Sequence, residues 1–397
     1  MSGRAARLPE VIVGQDRATR ALARAVGAGR LFPSLIFHGP SGIGKLATSL
    51  ALARSLLCRE PVSPCGACRT CRRIDERALV HPDVLVALPE TKKMFDEGPG
   101  DATSGLDVQE LQEDSQANAA WAILIDRVRE AIAFVRRRPA EGERSVLVID
   151  QAHRMEAPAA NALLKALEEP PAHAVIVLTT SSPPALLPTI RSRCQAVPFR
   201  LVPRDAVTAF LVERHGMAAE EAVLRAALSG GRIGAALSLD LEEFRERRRE
   251  ILRVLEELLL RGDPGLAVAR AEALSKGSAP EPALEILMTL LRDLAVIEAS
   301  SGGGAARGRS EPPAPAARLV HLDIAERLTP LAPALGSRGP EILEALESAL
   351  QGIRHRGNRQ LLVENFLLRL IPAAAPSASP LPGAPRAATA PPAARGA

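Results

Sequence analysis

Ser34-Leu-Ile-Phe-His-Gly-Pro-Ser-Gly-Ile-Gly-Lys-Leu-Ala-Thr48 is the stretch on which the fold turns. Ser34 to Phe37 has the apolar character of a short buried strand. Gly39-Pro-Ser-Gly42-Ile-Gly44 then makes a turn whose backbone N–H groups can point inward, and Lys45 opens a helix that runs to about Leu57. Strand, glycine loop and helix in this order form a phosphate cradle. The amides and the helix N-terminus attract anionic oxygens, and a lysine at the end of the loop reaches the outer phosphates. The alternative is a glycine-rich turn that only closes a β–α unit.

The segments around this unit continue the alternation. Residues 1–30 read as helical, with an amphipathic stretch from Gln15 to Val26. Strands are predicted at His81–Ala87, Val146–Asp150 and Val175–Leu178, and helices at Ile123–Arg137 and Asn161–Glu169, the latter stopped by Pro170-Pro171. Alternating strands and helices imply a parallel α/β sheet through about residue 203. Beyond Pro203 the pattern is helical only: a small unit at 204–240, then longer helices within 241–372, such as Leu241–Arg261 and Ala283–Glu298. Gly302–Ala316 reads as a loop. Residues 373–397 are Ala/Pro-rich and read as disordered.

Composition limits the functions available. Net charge is +4, with 45 arginines against five lysines, so charge alone does not argue for nucleic acid. Aromatic residues are 2% and tyrosine is absent, which disfavours a base-stacking platform. No apolar run approaches the roughly 20 residues of a membrane span, and Met1–Glu10 lacks the apolar core of a secretory signal. A cytoplasmic location is expected. Residues 90–116 carry eight acidic residues against two lysines and read as a surface insertion or, alternatively, an acidic partner-binding arm.

Four of the five cysteines, Cys58, Cys65, Cys68 and Cys71, fall within fourteen residues. Two tight x2 spacings let one knuckle supply several thiolates, and four sulfurs suit a closed, tetrahedral Zn²⁺ site of structural type. Arg59, Arg69, Arg72 and Arg73 surround the cluster. They are either solvated or part of a DNA-binding zinc ribbon.

The phosphate loop departs from a working pattern at one place. Gly39-x4-Gly44-Lys45 matches a Walker A loop, whose next residue is a Ser or Thr that ligates Mg²⁺; here it is Leu46. Val146-Leu-Val-Ile-Asp150 resembles the second acidic motif, in which Asp150 holds the metal. Gln151 follows where an ATPase places a carboxylate. An amide orients water but cannot take its proton, and general-base help is worth roughly 10²–10⁴-fold. The candidate nucleotide residues are Gly39, Gly42, Gly44, Lys45, Asp150 and Thr180, with Thr179 the other choice for the last.

These motifs together resemble the AAA+ clamp-loader subunits of bacterial DNA polymerase III. The resemblance rests on Val13-Gly14-Gln15, on the cysteine cluster after the Walker A helix, on His153-x7-Asn161-Ala-Leu-Leu-Lys-Ala-Leu-Glu-Glu-Pro-Pro171, and on Ser192-Arg193-Cys194. It implies an α/β AAA+ P-loop domain at 1–203 with an inserted zinc module at 58–71. An all-α lid at 204–240 and an all-α collar at 241–372 would follow. It also implies that Val13-Gly14-Gln15 helps to form a base pocket, and that Arg193 reaches a γ-phosphate on a neighbouring subunit; the alternative for Arg193 is a surface residue in a local ion pair. Gly234 stands where active members place a second sensing arginine, with Arg232 out of register by two. Cys194 is expected to be structural.

A member so altered is expected to donate an arginine finger without turning over ATP, and to bind ATP or ADP weakly or not at all. The implied partners are gamma/tau and delta subunits in a hetero-pentamer, the sliding clamp and primer–template DNA, with no membrane. Two rivals stay open: an active gamma/tau-type ATPase, and a zinc-dependent DNA-binding module on a dead phosphate loop.

Overall fold

Val146-Leu-Val-Ile149 and Val175-Ile-Val-Leu178 are apolar at every position, which suits strands covered on both faces. The computed structural model describes residues 5–6, 12–60, 62–75, 79–90, 121–275, 281–301, 319–354 and 357–372. In it these segments are central strands of a parallel sheet. The strands are β1 (Ser34–His38), β2 (Val84–Ala87), β3 (Ser145–Ile149), β4 (Ala174–Thr180) and β5 (Gln195–Pro198), in spatial order β2-β3-β4-β1-β5.

Because side chains alternate along a strand, each strand divides its residues between two layers. Leu35, Phe37, Val146, Val148, Val175 and Val177 face one core, shared with α1 (Asp16–Gly27) and α2 (Lys45–Leu57) through Leu22, Leu46, Leu50 and Leu57. The short α3 (Arg69–Arg73) follows α2 in the chain. Ile36, Leu147, Ile149, Ile176 and Leu178 face the other core. There they meet α4 (Ile125–Arg136) and α5 (Ala157–Glu168) through Val128, Val135, Ala159 and Leu163. One further short helix, α6 (Pro188–Arg191), precedes β5.

Register brings the functional ends together. His38 lies beside Thr180, and Ile149 beside Leu178. The glycine loop, Asp150 and the Thr179-Thr180 pair therefore lie together at the carboxyl ends of neighbouring parallel strands, the end at which ligands of open α/β sheets bind.

The chain divides into two compact units, Met1–Leu239 and Asp240–Ala397. The first also holds three helices after the sheet: α7 (Arg204–His215), α8 (Ala219–Ser229) and α9 (Ile233–Ser238), packed around Val202, Val207, Leu211, Ala222, Ala226 and Ala236.

The second unit is helical among its described residues. It comprises α10 (Leu241–Arg261), α11 (Pro264–Ser275), α12 (Glu281–Ser301), α13 (Gly339–Arg354) and α14 (Arg359–Leu370), with short helical turns from Leu322 to Arg338. Asp240 starts α10 by accepting hydrogen bonds from the Glu242 and Glu243 amides, both at 3.0 Å. Ile251, Leu255, Leu258 and Leu259 recur at helical spacing along one face of α10 and pack with Leu287, Leu290, Leu291 and Leu294 of α12. A polar cluster sits inside this apolar packing. Arg248 pairs with Asp323 through both guanidinium ends, His321 bonds to Thr289 at 2.9 Å, and Asp293 accepts from the Val320 and His321 amides.

Several expectations shift. Ala5-Ala6 pairs with Val62-Ser63 as extended chain rather than continuing a helix over 1–30. α5 begins at Ala157 rather than Asn161, with Pro158 in the first turn, where its missing N–H costs nothing. β5 has no counterpart among the strands predicted from sequence. The 302–316 loop, the 373–397 tail and the 90–116 insertion beyond Glu90 lie outside the described residues.

Candidate functional site

Gly44 caps the N-terminus of α2 in the left-handed region, at φ +90°, which a side chain would disfavour. Lys45 opens the helix and is buried, and its Nζ donates to the loop's own carbonyls, Gly39 O at 2.8 Å and Pro40 O at 2.6 Å. Burial lowers the Lys45 pKa to about 8, while the nearby Asp150 carboxylate pulls it the other way. The ammonium and the carboxylate are thus close enough to interact, both of them buried.

Leu46 is packed in the sheet core, 4% exposed. The two hydroxyls that follow do not replace the missing one. Thr48 Oγ1 donates to Gly44 O at 2.7 Å and Ser49 Oγ to Lys45 O at 3.0 Å, both bonds running back along the helix.

Thr179, not Thr180, is the residue joined to Asp150. Its hydroxyl donates to Asp150 Oδ1 and accepts from the Gln151 amide at 3.1 Å. Thr180 lies against His153 Nδ1 at 3.3 Å and accepts from the Ser182 amide at 3.0 Å, and its carbonyl receives the Gly39 N–H. Gln151 is the one non-glycine residue with positive φ, +50°, among the described residues. Its backbone N–H is tied to Thr179, and its side chain carries no group able to accept a proton from water.

Gln15 does something the motif alone did not indicate. Its amide donates to Arg200 O at 2.7 Å and accepts from Arg200 N at 3.1 Å, in the manner of a strand neighbour, and the same Nε2 lies 3.5 Å from Ile43 O. Buried at 4% exposure, it links the N-terminal segment, the phosphate loop and the segment that leads from β5 to α7. Gly234, at the start of α9, donates its N–H to Gly42 O at 2.9 Å, so the helical part of this unit rests directly on the loop.

At the far end of α2, Cys58, Cys65, Cys68 and Cys71 place their sulfurs within 4.8 Å of one another. Two of the separations are 3.9 Å (Cys58–Cys68) and 4.0 Å (Cys65–Cys71). Bonds of about 2.3 Å in a tetrahedron give edges of about 3.8 Å, so the set fits Zn²⁺ with no open position. Amides of Cys68 and Ala67 lower the Cys65 thiol to about 7, while burial raises Cys68 and Cys71, a cost that a bound dication would reverse.

Three of the four arginines around this knuckle, Arg59, Arg72 and Arg73, are engaged within the chain. Arg72 donates to Ala67 O at 2.7 Å, Arg59 to Glu141 O, and Arg73 grips the Glu141 carboxylate at 2.8 and 2.9 Å. Glu141 is presented by a loop whose amides wrap the buried Asp83 carboxylate.

Arg193 stands at the C-terminal end of α6. Its guanidinium donates to Glu168 Oε1 at 2.6 Å, to Thr189 O at 3.0 Å and weakly to Ser192 Oγ at 3.5 Å. The local ion pair that is the alternative to an outward role is therefore present, with both side chains partly in solvent. Cys194 is held as a neutral thiol, pushed up to about 12 by burial.

Residues 14–203 match a family model described as DNA polymerase III, delta subunit. The gamma/tau subunit of DNA polymerase III from Mycobacterium tuberculosis is 30% identical over 362 residues, which is 88% of this chain and 54% of that protein. The delta' subunit from Pseudomonas aeruginosa is 33% identical over 230 residues, 56% of this chain and 60% of that one. For the delta' subunit of Bacillus subtilis the figures are 31%, 62% and 65%. The chain thus spans between about half and two thirds of these relatives. A gamma subunit-related protein from Thermotoga maritima aligns over 88% of this chain and 98% of its own, at 19% identity and a TM-score of 0.39. Among the described residues no helix is long and apolar enough to cross a membrane.

Proposed function

We propose, from the premise that this chain belongs to the DNA polymerase III clamp-loader family, that it fills the delta-prime role. It would complete a neighbour's ATP site with Arg193 and leave its own cleft without turnover. The observation that carries this reading is Leu46, sunk in the sheet core at the position of the metal-binding hydroxyl. Gln151 adds a second loss on the same chemistry, since its amide cannot serve as the base. The glycine loop, Lys45 and Asp150 are the groups that would hold phosphates, so weak nucleotide binding without hydrolysis belongs to the proposal.

In this reading residues 204–240 are the lid and 241–372 the collar that joins subunits. The partners are gamma/tau and delta subunits, and the assembly acts on a sliding clamp and primer–template DNA. Zn²⁺ at the four cysteines holds the 58–71 knuckle and takes no part in the reaction. The internal engagement of Arg59, Arg72 and Arg73 weighs against a DNA-reading zinc module.

Reconstitution with cognate gamma/tau and delta subunits tests the role. Arg193→Ala is expected to leave assembly intact and to lower turnover at the neighbouring site on the order of 10³-fold or more, the range of trans arginines. An unchanged DNA-stimulated rate in the assembled variant contradicts it. One observation favours a gamma/tau-type ATPase instead: the match to the Mycobacterium tuberculosis gamma/tau protein runs over 88% of this chain. That reading requires ATP turnover by the chain alone.

A further inference from the structure

Arg193 has a long, flexible side chain, yet its guanidinium is held by groups from two elements. Thr189 O, one turn back on α6, takes a bond from Nη1 at 3.0 Å, and Glu168 Oε1 takes one from Nη2 at 2.6 Å. Glu168 is the last residue of α5, and Glu169-Pro170-Pro171 follow directly, so the helix ends there and the carboxylate is fixed on its final turn. The two side chains are 35% and 47% exposed. Of the five N–H donors on a guanidinium, the anchors therefore leave some facing solvent.

We propose that Glu168 is the positioning residue for Arg193: it fixes the orientation in which the guanidinium meets a phosphate held by another subunit. This rests on the trans role given above. A fork that is already oriented loses less freedom when it engages an anion than one that is free to swing. A solvent-exposed ion pair is also weak enough to yield or share a donor when phosphate arrives. The role gives the terminal Glu168 of the Ala-Leu-Glu-Glu-Pro-Pro stretch a chemical task beyond ending a helix. Glu169 supplies an internal comparison, because it carries the same charge one residue away while the bond to Arg193 comes from Glu168.

The test uses the reconstituted loader with this chain as wild type, Glu168→Ala, Glu168→Gln, Glu169→Gln and Arg193→Ala, measuring kcat and KM for ATP separately. Glu168→Ala is expected to lower kcat about tenfold with KM unchanged. Glu168→Gln, which keeps an acceptor oxygen, should recover most of that, and Glu169→Gln should match wild type. A Glu168→Ala loader at the wild-type rate or faster, beside a defective Arg193→Ala, overturns the positioning role and leaves the finger standing. Equal defects in Glu168→Ala and Glu169→Gln would reduce the effect to bulk charge and also overturn it. Arg193→Ala at the wild-type rate sinks the trans role itself and this proposal with it.

Discussion

The two ends of α2 make a useful contrast. At its C-terminal end, Cys58 joins three other thiols in a set with every donor in place. At its N-terminal end, Lys45 closes a glycine loop and is followed by the buried Leu46, where the motif asks for a hydroxyl. A glycine loop alone is poor evidence of nucleotide chemistry. Gly39 is needed where it stands because any Cβ there would collide with the Phe199 carbonyl, and Gly42 offers its carbonyl to Gly234. Packing alone therefore accounts for glycine at these positions, whatever the loop binds. The four thiols also pack and cap, with Cys58 and Cys71 buried and Cys68 accepting from the Cys71 amide, but only as a set within 4.8 Å of one another could they hold a metal.

The contrast breaks most visibly at the metal. Cys71→Ser, or a chelator, is expected to release zinc and raise amide exchange across 58–74. The local loss should be several kcal/mol, below the roughly 10–16 kcal/mol of isolated zinc-finger peptides, since α2 also packs on the sheet. Protection in β3 and β4 should persist. Global unfolding at the same chelator dose would mean that the knuckle supports the sheet as well.

A smaller effect is expected at the other end. Leu46→Thr puts a hydroxyl into an apolar layer and should cost about 1–3 kcal/mol in a denaturant titration. It should bring no ATP turnover, because Gln151 still lacks a proton acceptor. Turnover in that single variant would show that the cleft lacks only a metal ligand.

The smallest effect concerns pH. Lys45 holds its proton below about 8, and only the ammonium attracts phosphate. The affinity of the pure chain for a non-hydrolysable ATP analogue should be level below that pH and fall above it, by at most about tenfold per unit. A lysine at its ordinary pKa would hold affinity level to about pH 10. A level profile across that range would remove Lys45 from the contact.

Much of this was legible in the sequence because its signals are local. The glycine loop, the four cysteines and the apolar strands each lie within a short window, and the structure has a strand before the loop, a helix after it and the four sulfurs together. What escaped depends on residues far apart in the chain. Thr179 and Thr180 are adjacent and both buried, and only the β3–β4 register decides which meets Asp150. Gln15 and Arg200 are joined across the length of the sheet domain, and Glu168 meets Arg193 from a different helix. β5 left no trace because of its four residues only Val197 is buried, too few for alternation to show. The pairing of Arg248 with Asp323 inside the helical unit is likewise invisible from either residue's neighbours.

The central claim is that this cleft does not split ATP while Arg193 serves the cleft beside it. Magnesium-dependent phosphate release by the purified chain at saturating ATP, with and without primed DNA, tests it most directly. No release above the no-enzyme background is the expected result, with turnover appearing only once gamma/tau-type subunits are added. Sustained, magnesium-dependent release from the chain alone, abolished by Lys45→Ala, would contradict it.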